Sequence, residues 1–283
     1  MSITKTKRPK KQQLGQFITP YHIADRLVSD LVFTREDRVL EPSMGNGSFI
    51  IPIIEKFMAL YHGDVKLRLS KVLSRNVYGV EIDAVAYEAC LNRIKDRWGN
   101  IPPQHNLVNG DFFRCHFLLG NGKNAGESRS YFVKFSYVIG NPPFGGTLDP
   151  AIQDSLDREF GFRNGKKIKK ETYAFFIVKS MDLLRPDGQL IFICSDTFLT
   201  INTMNGLRRL LMSQGSVRVT DLPHFSEETS HPMIVLRFSK DGFSDKLHIN
   251  GQCLMRQDID LTDNFSWRIR PELSKYFSGP RLG

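Results

Sequence analysis

Short aliphatic runs alternate with segments of helical period along most of this chain, and that alternation leaves few folds open. The runs are Arg38–Glu41, Val77–Glu81, Asn106–Asn109, Phe135–Ile139, Gln189–Cys194, Val217–Leu222 and Met233–Phe238. Ile23, Leu27 and Leu31 behind Thr19-Pro20 predict a helix over 20–33. Further helical patterns run from Phe49 to Tyr61, through Ala86, Cys90 and Ile94 behind Asp83, and through Tyr173, Ile177, Met181 and Leu184. Arg185-Pro186-Asp187-Gly188 stops the last of these. Strands interleaved with helices in this way predict an α/β fold with a doubly wound sheet. The stretch from Gly145 to Lys170 fits neither pattern and reads as a long functional loop.

Composition removes other classes. With 41% hydrophobic and 24% charged residues over 283 positions, the chain is expected to be globular rather than disordered. No apolar run approaches the ~18 to 20 residues of a membrane span, and MSITKTKRPKKQQ lacks the apolar core of a secretory signal, so the cytoplasm is the default location. Cys90, Cys115, Cys194 and Cys253 form no CxxC pair, and the histidines show no ligand spacing, so neither a disulfide framework nor a metal site is expected. The net charge of +9 resides in two acid-free runs, residues 1–11 and 163–170, the second containing Lys166, Lys167, Lys169 and Lys170. Such runs suit a polyanion with regularly spaced phosphates, although a solvated tail and loop would look the same.

The ends of the predicted strands carry the chemistry. Glu41-Pro42-Ser43-Met44-Gly45-Asn46-Gly47-Ser48-Phe49 forms a glycine-rich turn between a strand and a helix, where doubly wound folds bind ligands. It is not a dinucleotide fingerprint, because Ile50 holds the third glycine position and Glu41 would repel a diphosphate. A ligand with an ammonium and a carboxylate fits better, and S-adenosylmethionine has both. The next strand ends in Glu81-Ile82-Asp83, an acid where ribose hydroxyls would lie, and the third in Asp111-Phe112-Phe113, an acceptor for an adenine amine beside an aromatic face. Glu81 or Asp111 alone would sooner be read as a helix cap or a surface acid, but three acids at the ends of three successive strands point to a site.

Asn141-Pro142-Pro143-Phe144, at the end of the fourth strand, is the most specific signal. A rigid turn is one reading of it. The other is catalytic. An exocyclic aromatic amine is a poor nucleophile because its lone pair is delocalised. If its two N–H groups donate to the Asn141 side-chain oxygen and the Pro142 carbonyl, electron density stays on nitrogen as it becomes tetrahedral. Phe144 could stack on the base.

These motifs together resemble the N6-adenine DNA methyltransferases of restriction-modification systems. Gln16-Phe17-Ile18-Thr19-Pro20 resembles that family's Q-F-x-T-P segment, the Glu41–Phe49 turn its methionine motif, Glu81-Ile82 its ribose motif and Asp111-Phe112 its adenine motif. The resemblance covers roughly residues 14–240, behind a basic tail at 1–13. It implies a Rossmann-like, mostly parallel, seven-stranded sheet and direct methyl transfer from S-adenosylmethionine without metal. It assigns Gln16, Thr19, Pro20, Glu41, Pro42, Gly45, Gly47, Phe49, Glu81, Ile82, Asp111 and Phe112 to the cofactor, with S-adenosylhomocysteine as product. Asn141, Pro142, Pro143 and Phe144 would be catalytic. Double-stranded DNA would be the substrate, with Phe225, or else His224, against a flipped adenine.

Residues 241–283 would be a C-terminal extension or the start of a linker to a target-recognition domain. A separate specificity subunit and a cognate restriction endonuclease are the partners that this implies. RNA adenine or protein glutamine is the alternative substrate, and a catalytically silent nucleic-acid-binding module is the reading from another class.

Overall fold

The computed structural model describes residues 18–117, 132–143, 150–163, 165–168, 171–222, 232–242 and 246–255. Nine strands form one sheet: β1 Val39–Glu41, β2 Val77–Glu81, β3 Asn106–Asn109, β4 Phe135–Gly140, β7 Leu184–Ser195, β8 Ser216–Leu222, β9 Met233–Ser239, β10 Lys246–Ile249 and β11 Gln252–Met255. Their order is β3-β2-β1-β4-β7-β9-β8-β10-β11, and β9 and β11 run against the rest. The sheet exceeds the expected seven strands by β10 and β11. A separate two-stranded hairpin pairs β5 Phe162–Arg163 with β6 Lys166–Lys167.

Eight helices lie in the described residues: α1 Tyr21–Ser29, α2 Ile50–Leu60, α3 Val65–Arg75, α4 Ala84–Trp98, α5 Pro150–Phe160, α6 Thr172–Leu183, α7 Thr197–Thr200 and α8 Asn205–Gln214. Both faces of the central strands are covered, which is why those strands are continuously apolar rather than alternating. Val39, Ile139, Ile191 and Val235 face a core built with α1 to α4. Leu40, Val138, Phe192 and Leu236 face the opposite core with α5, α6 and α8. Among the described residues no helix is long and apolar enough to cross a membrane.

Several boundaries differ from the sequence expectation. Helix α1 ends at Ser29 rather than 33, because the chain turns there and Lys56 Nζ donates to the carbonyls of Val28, Ser29 and Leu31. A cation on the last carbonyls completes a helix C-terminus. Strand β7 starts at Leu184, so the supposed helix stop lies inside it. The ladder with β4 pairs Phe135 with Leu184, then resumes at Tyr137 and Gln189. Asp187 takes a left-handed φ of 60° in that excursion, fastened through its amide to the Lys240 carbonyl at 2.8 Å.

The stretch 145–170, read as one long loop, contains α5 and the β5–β6 hairpin. Leu156, Phe160 and Ile168 are buried in the core, which ties this region down.

Candidate active site

A cavity of about 220 Å³ opens at the carboxyl ends of β1, β2 and β4. It is lined by residues 18–19, Glu41, the glycine turn, Glu81, the first turns of α4, Asn141 and Pro143. Of the residues singled out from sequence, it brings together Thr19, Glu41, Gly45, Phe49, Glu81, Asn141 and Pro143.

The glycine turn has its composition for geometric reasons. Gly45 and Gly47 adopt φ of 53° and 85°, where L side chains are strained. A Cβ on Gly47 would lie 2.6 Å from Cys90 Sγ, whereas one on Gly45 would meet nothing within 4 Å. Gly47 lets α4 approach the turn, and Gly45 leaves backbone open towards the cavity. Met44 N–H donates to the Val80 carbonyl at 2.9 Å, and Gly45 N–H donates to Glu81 Oε2 at 2.7 Å. Asp83 N–H donates to Glu81 Oε1 at 2.8 Å. Glu81 is only 2% exposed and holds the glycine turn to the end of β2.

Glu41 is equally buried, and its environment is less favourable. Burial first, and then the neighbouring Glu81 carboxylate, push its pKa well above the ordinary value against a hydrogen bond from the Ile50 amide. Its Oε2 is buried with no hydrogen-bond partner among the described residues. Cys90, behind the turn, is pushed up to about 12 by burial and by Glu41, which keeps that thiol protonated and inert.

The catalytic candidate Asn141 follows β4 directly. Its side-chain Nδ2 donates to Thr19 Oγ1 at 3.1 Å, and its backbone carbonyl accepts from Ser43 Oγ at 3.2 Å. Gly140, just before it, sits against Glu41 and Pro42, where a Cβ would lie 3.4 Å from Glu41 Cγ. The glycine turn and the Asn-Pro-Pro turn are therefore in direct contact. Pro142 is buried, and Pro20 caps the start of α1.

Other expected residues stand apart from the cavity lining. Asp111 caps the 3-10 turn Phe112–Arg114 by accepting from Phe113 N–H at 2.9 Å. Phe112 is buried and stacks on Phe176, with ring centroids 5.0 Å apart. Ile82, next to Glu81, is 59% exposed. Lys167 is exposed on β6. Gln16, Phe144, Lys169, Lys170, His224 and Phe225 lie outside the described residues, as does the side chain of Lys166.

The structure adds residues that sequence reasoning missed. Val85, Ala86 and Ala89 line the cavity, together with Ile18, Ser43, Met44, Asn46 and Ser48 from the two motifs already read there. Val85 is 75% exposed and lies off the buried stripe of α4, a signal readable from periodicity. Arg93 Nη1 supports the turn by donating to the Asn46 carbonyl at 3.0 Å. Lys179 Nζ donates to the carbonyls of Phe112, Phe113 and Cys115 at 2.7, 2.9 and 3.2 Å, and burial lowers its pKa.

Known proteins resemble this chain in sequence and in fold. The type II methyltransferase M.BstVI of Geobacillus stearothermophilus is 29% identical over 72% of this chain and 37% of its own length. A protein from Vibrio vulnificus YJ016 assigned as the modification subunit of a type I restriction enzyme superposes with a TM-score of 0.63 at 18% identity, covering 82% of this chain and 46% of that one. One from Listeria monocytogenes assigned to the class I S-adenosylmethionine-dependent methyltransferases gives 0.56 at 15% identity, covering 81% and 62%. The chain thus spans less than half the length of the first two. The family model described as Eco57I restriction-modification methylase matches residues 75–228, more than half of the chain. With its strand order, its glycine turn and its Asn-Pro-Pro turn in one cavity, the chain belongs to the Eco57I restriction-modification methylase family.

Proposed function

We propose that this chain transfers a methyl group from S-adenosylmethionine to N6 of adenine in double-stranded DNA, as the modification part of a restriction-modification system. The observation that carries this reading is the placement of Asn141 and Glu41 on one cavity, with the two turns in contact through Ser43.

The residues present fit the cofactor. A buried Glu41 oxygen without a partner among the described residues calls for a donor, and an amino acid's ammonium is one. Open space above Gly45 allows a ligand to approach the backbone. When bound, S-adenosylmethionine supplies an electrophilic methyl group on a sulfonium. Glu41 would hold the ammonium, and Ile82 and Val85 offer exposed apolar surface for a nucleoside. Asn141 Oδ1 and the Pro142 carbonyl would accept the two N–H bonds of the target amine, so that its lone pair is directed at the methyl carbon. Adenine must leave the duplex to reach them. Lys166, Lys167, Lys169 and Lys170 would contact the DNA backbone, and Phe144 and Phe225 the extruded base. Sequence specificity would come from a recognition domain or subunit, and a cognate endonuclease would be the functional partner.

The test is transfer of a labelled methyl group to DNA, RNA and protein offered separately. Label recovered as N6-methyladenine in DNA supports the reading, and label in RNA or protein but not DNA overturns it. Asn141→Ala should remove most transfer, on the order of 100-fold or more, while cofactor affinity stays nearly intact.

A further inference from the structure

We infer that Thr19 is a positioning residue for the Asn141 amide, fixing the group that would meet the amine rather than serving the cofactor alone; this rests on the methyltransferase reading above. An Asn side chain has chemically unlike ends on a broad, roughly two-fold torsion, so its own rotamer preference hardly distinguishes them. Facing a substrate N–H, the oxygen accepts, whereas the amide N–H₂ would set donor against donor. Something else must hold the group. Thr19, 122 positions earlier in the chain, does so by accepting from Asn141 Nδ2 at 3.1 Å.

Three features make Thr19 a firm anchor. It is 4% exposed, so water competes poorly for the contact. It is followed by Pro20, whose carbonyl accepts from Ile23 and Ala24 N–H at 3.1 and 3.2 Å, tying the segment to α1. Ala24, Leu27 and Val28 of α1 are buried in the core shared with α2. From the other side, Ser43 Oγ donates to the Asn141 backbone carbonyl, so main chain and side chain of Asn141 are each held. A hydroxyl oxygen can accept while its single proton donates. Thr19 lines the same cavity as Asn141, so an acceptor bound there would take that proton and leave the hydroxyl only its accepting role towards Nδ2.

The experiment compares Thr19→Val, which keeps the shape without the acceptor, with Thr19→Ser, which keeps the hydroxyl. Asn141 side-chain amide exchange is read by NMR on protein with ¹⁵N-labelled asparagine, with and without S-adenosylhomocysteine, and the resonance is assigned by its loss in Asn141→Ala. Thr19→Val should speed that exchange at least tenfold and lower kcat roughly 10- to 100-fold, the scale of a misplaced reacting group, with a smaller loss of S-adenosylhomocysteine affinity, since the proton that an acceptor in the cavity would take is lost as well. Thr19→Ser should restore both. If Thr19→Val does not fold, Thr19→Ala replaces it, with backbone spectra checking the fold.

Wild-type exchange in the Val or Ala variant, or an affinity loss as large as the loss of turnover, would overturn the inference. If the wild-type protein methylates nothing but the variant still loosens the amide, the contact stands and the methyltransferase reading falls.

Discussion

The two ends of β1 each bury a carboxylate, and they treat it in opposite ways. Asp37, two residues before the strand, accepts from Thr34 N–H at 2.8 Å and Thr34 Oγ1 at 3.0 Å, and meets Arg185 Nη2 at 3.0 Å. Burial pushes its carboxyl up, but hydrogen bonds from Ser136 and Thr34 and the Arg185 charge outweigh that and hold it below its ordinary value. Glu41, the last residue of the strand, has a buried oxygen without a partner among the described residues and a second carboxylate beside it, and its pKa rises. One end is closed on itself and contributes stability. The other keeps a misfit that a cationic ligand would relieve, which is how a binding site differs from a core.

The largest expected effect comes from breaking the closed end. Asp37→Ala leaves the Thr34 amide and hydroxyl and Ser136 without their charged acceptor, and the half-exposed Arg185 without its partner, and should cost about 3–5 kcal/mol in urea unfolding at pH 7. Because the folded pKa is depressed, this contribution is full above the ordinary carboxylate value. It is lost as pH falls through the depressed one, so wild type and variant should converge in acid. Next is Glu81→Ala, which removes the acceptor for Gly45 and Asp83 N–H. It should cost about 2–4 kcal/mol and also weaken S-adenosylhomocysteine binding, because the glycine turn loses its tie to β2. Stability loss with unchanged affinity would mean that the turn does not shape the cavity.

The smallest effect has the opposite sign. Glu41→Gln should stabilise the ligand-free protein, by on the order of 1 kcal/mol at pH 8. A carboxyl whose folded pKa is raised favours folding fully below its unfolded value, and that contribution disappears as pH rises through the folded one. The advantage of Gln should therefore shrink as pH falls towards the ordinary carboxylate range. Equal unfolding curves at pH 8 would mean that Glu41 is not strained, and the contrast between the two ends would be lost.

Much of this was legible in the sequence, for reasons that particular residues make plain. The central strands announced themselves because both faces are buried: Val39 and Leu40 enter opposite cores, so the run is apolar throughout. Helix α3 was missed although it carries its own signal, since Asp64 caps it by accepting from Leu67 N–H at 2.8 Å and Leu69, Val72 and Leu73 repeat at helical spacing. Strands β10 and β11 were missed because they pair as a hairpin with no helix between them, outside the strand–helix alternation that marked β1 to β4. At the site, Glu41, Glu81 and Asn141 were readable as strand-end residues of the right chemical type. Their contacts were not. That Glu81 spends one oxygen on the Gly45 amide of the glycine turn, or that Thr19 meets Asn141, depends on closures across 36 and 122 positions that no local pattern encodes. Aromatic residues serve both cores and ligands, so the stacking of Phe112 on Phe176 was likewise not readable from its position alone.

The central claim is that Glu41 waits for a cation in the cavity, and proton release on cofactor binding tests it most directly. Titration calorimetry with S-adenosylmethionine, repeated in buffers of different ionisation enthalpy, measures the protons exchanged. Below the raised Glu41 pKa, binding should release protons, up to one per site, and affinity should climb with pH because the ammonium favours the carboxylate. Glu41→Gln should bind more weakly and release none. Binding without proton exchange, and with equal affinity in Glu41→Gln, would contradict the account, as would no binding at all.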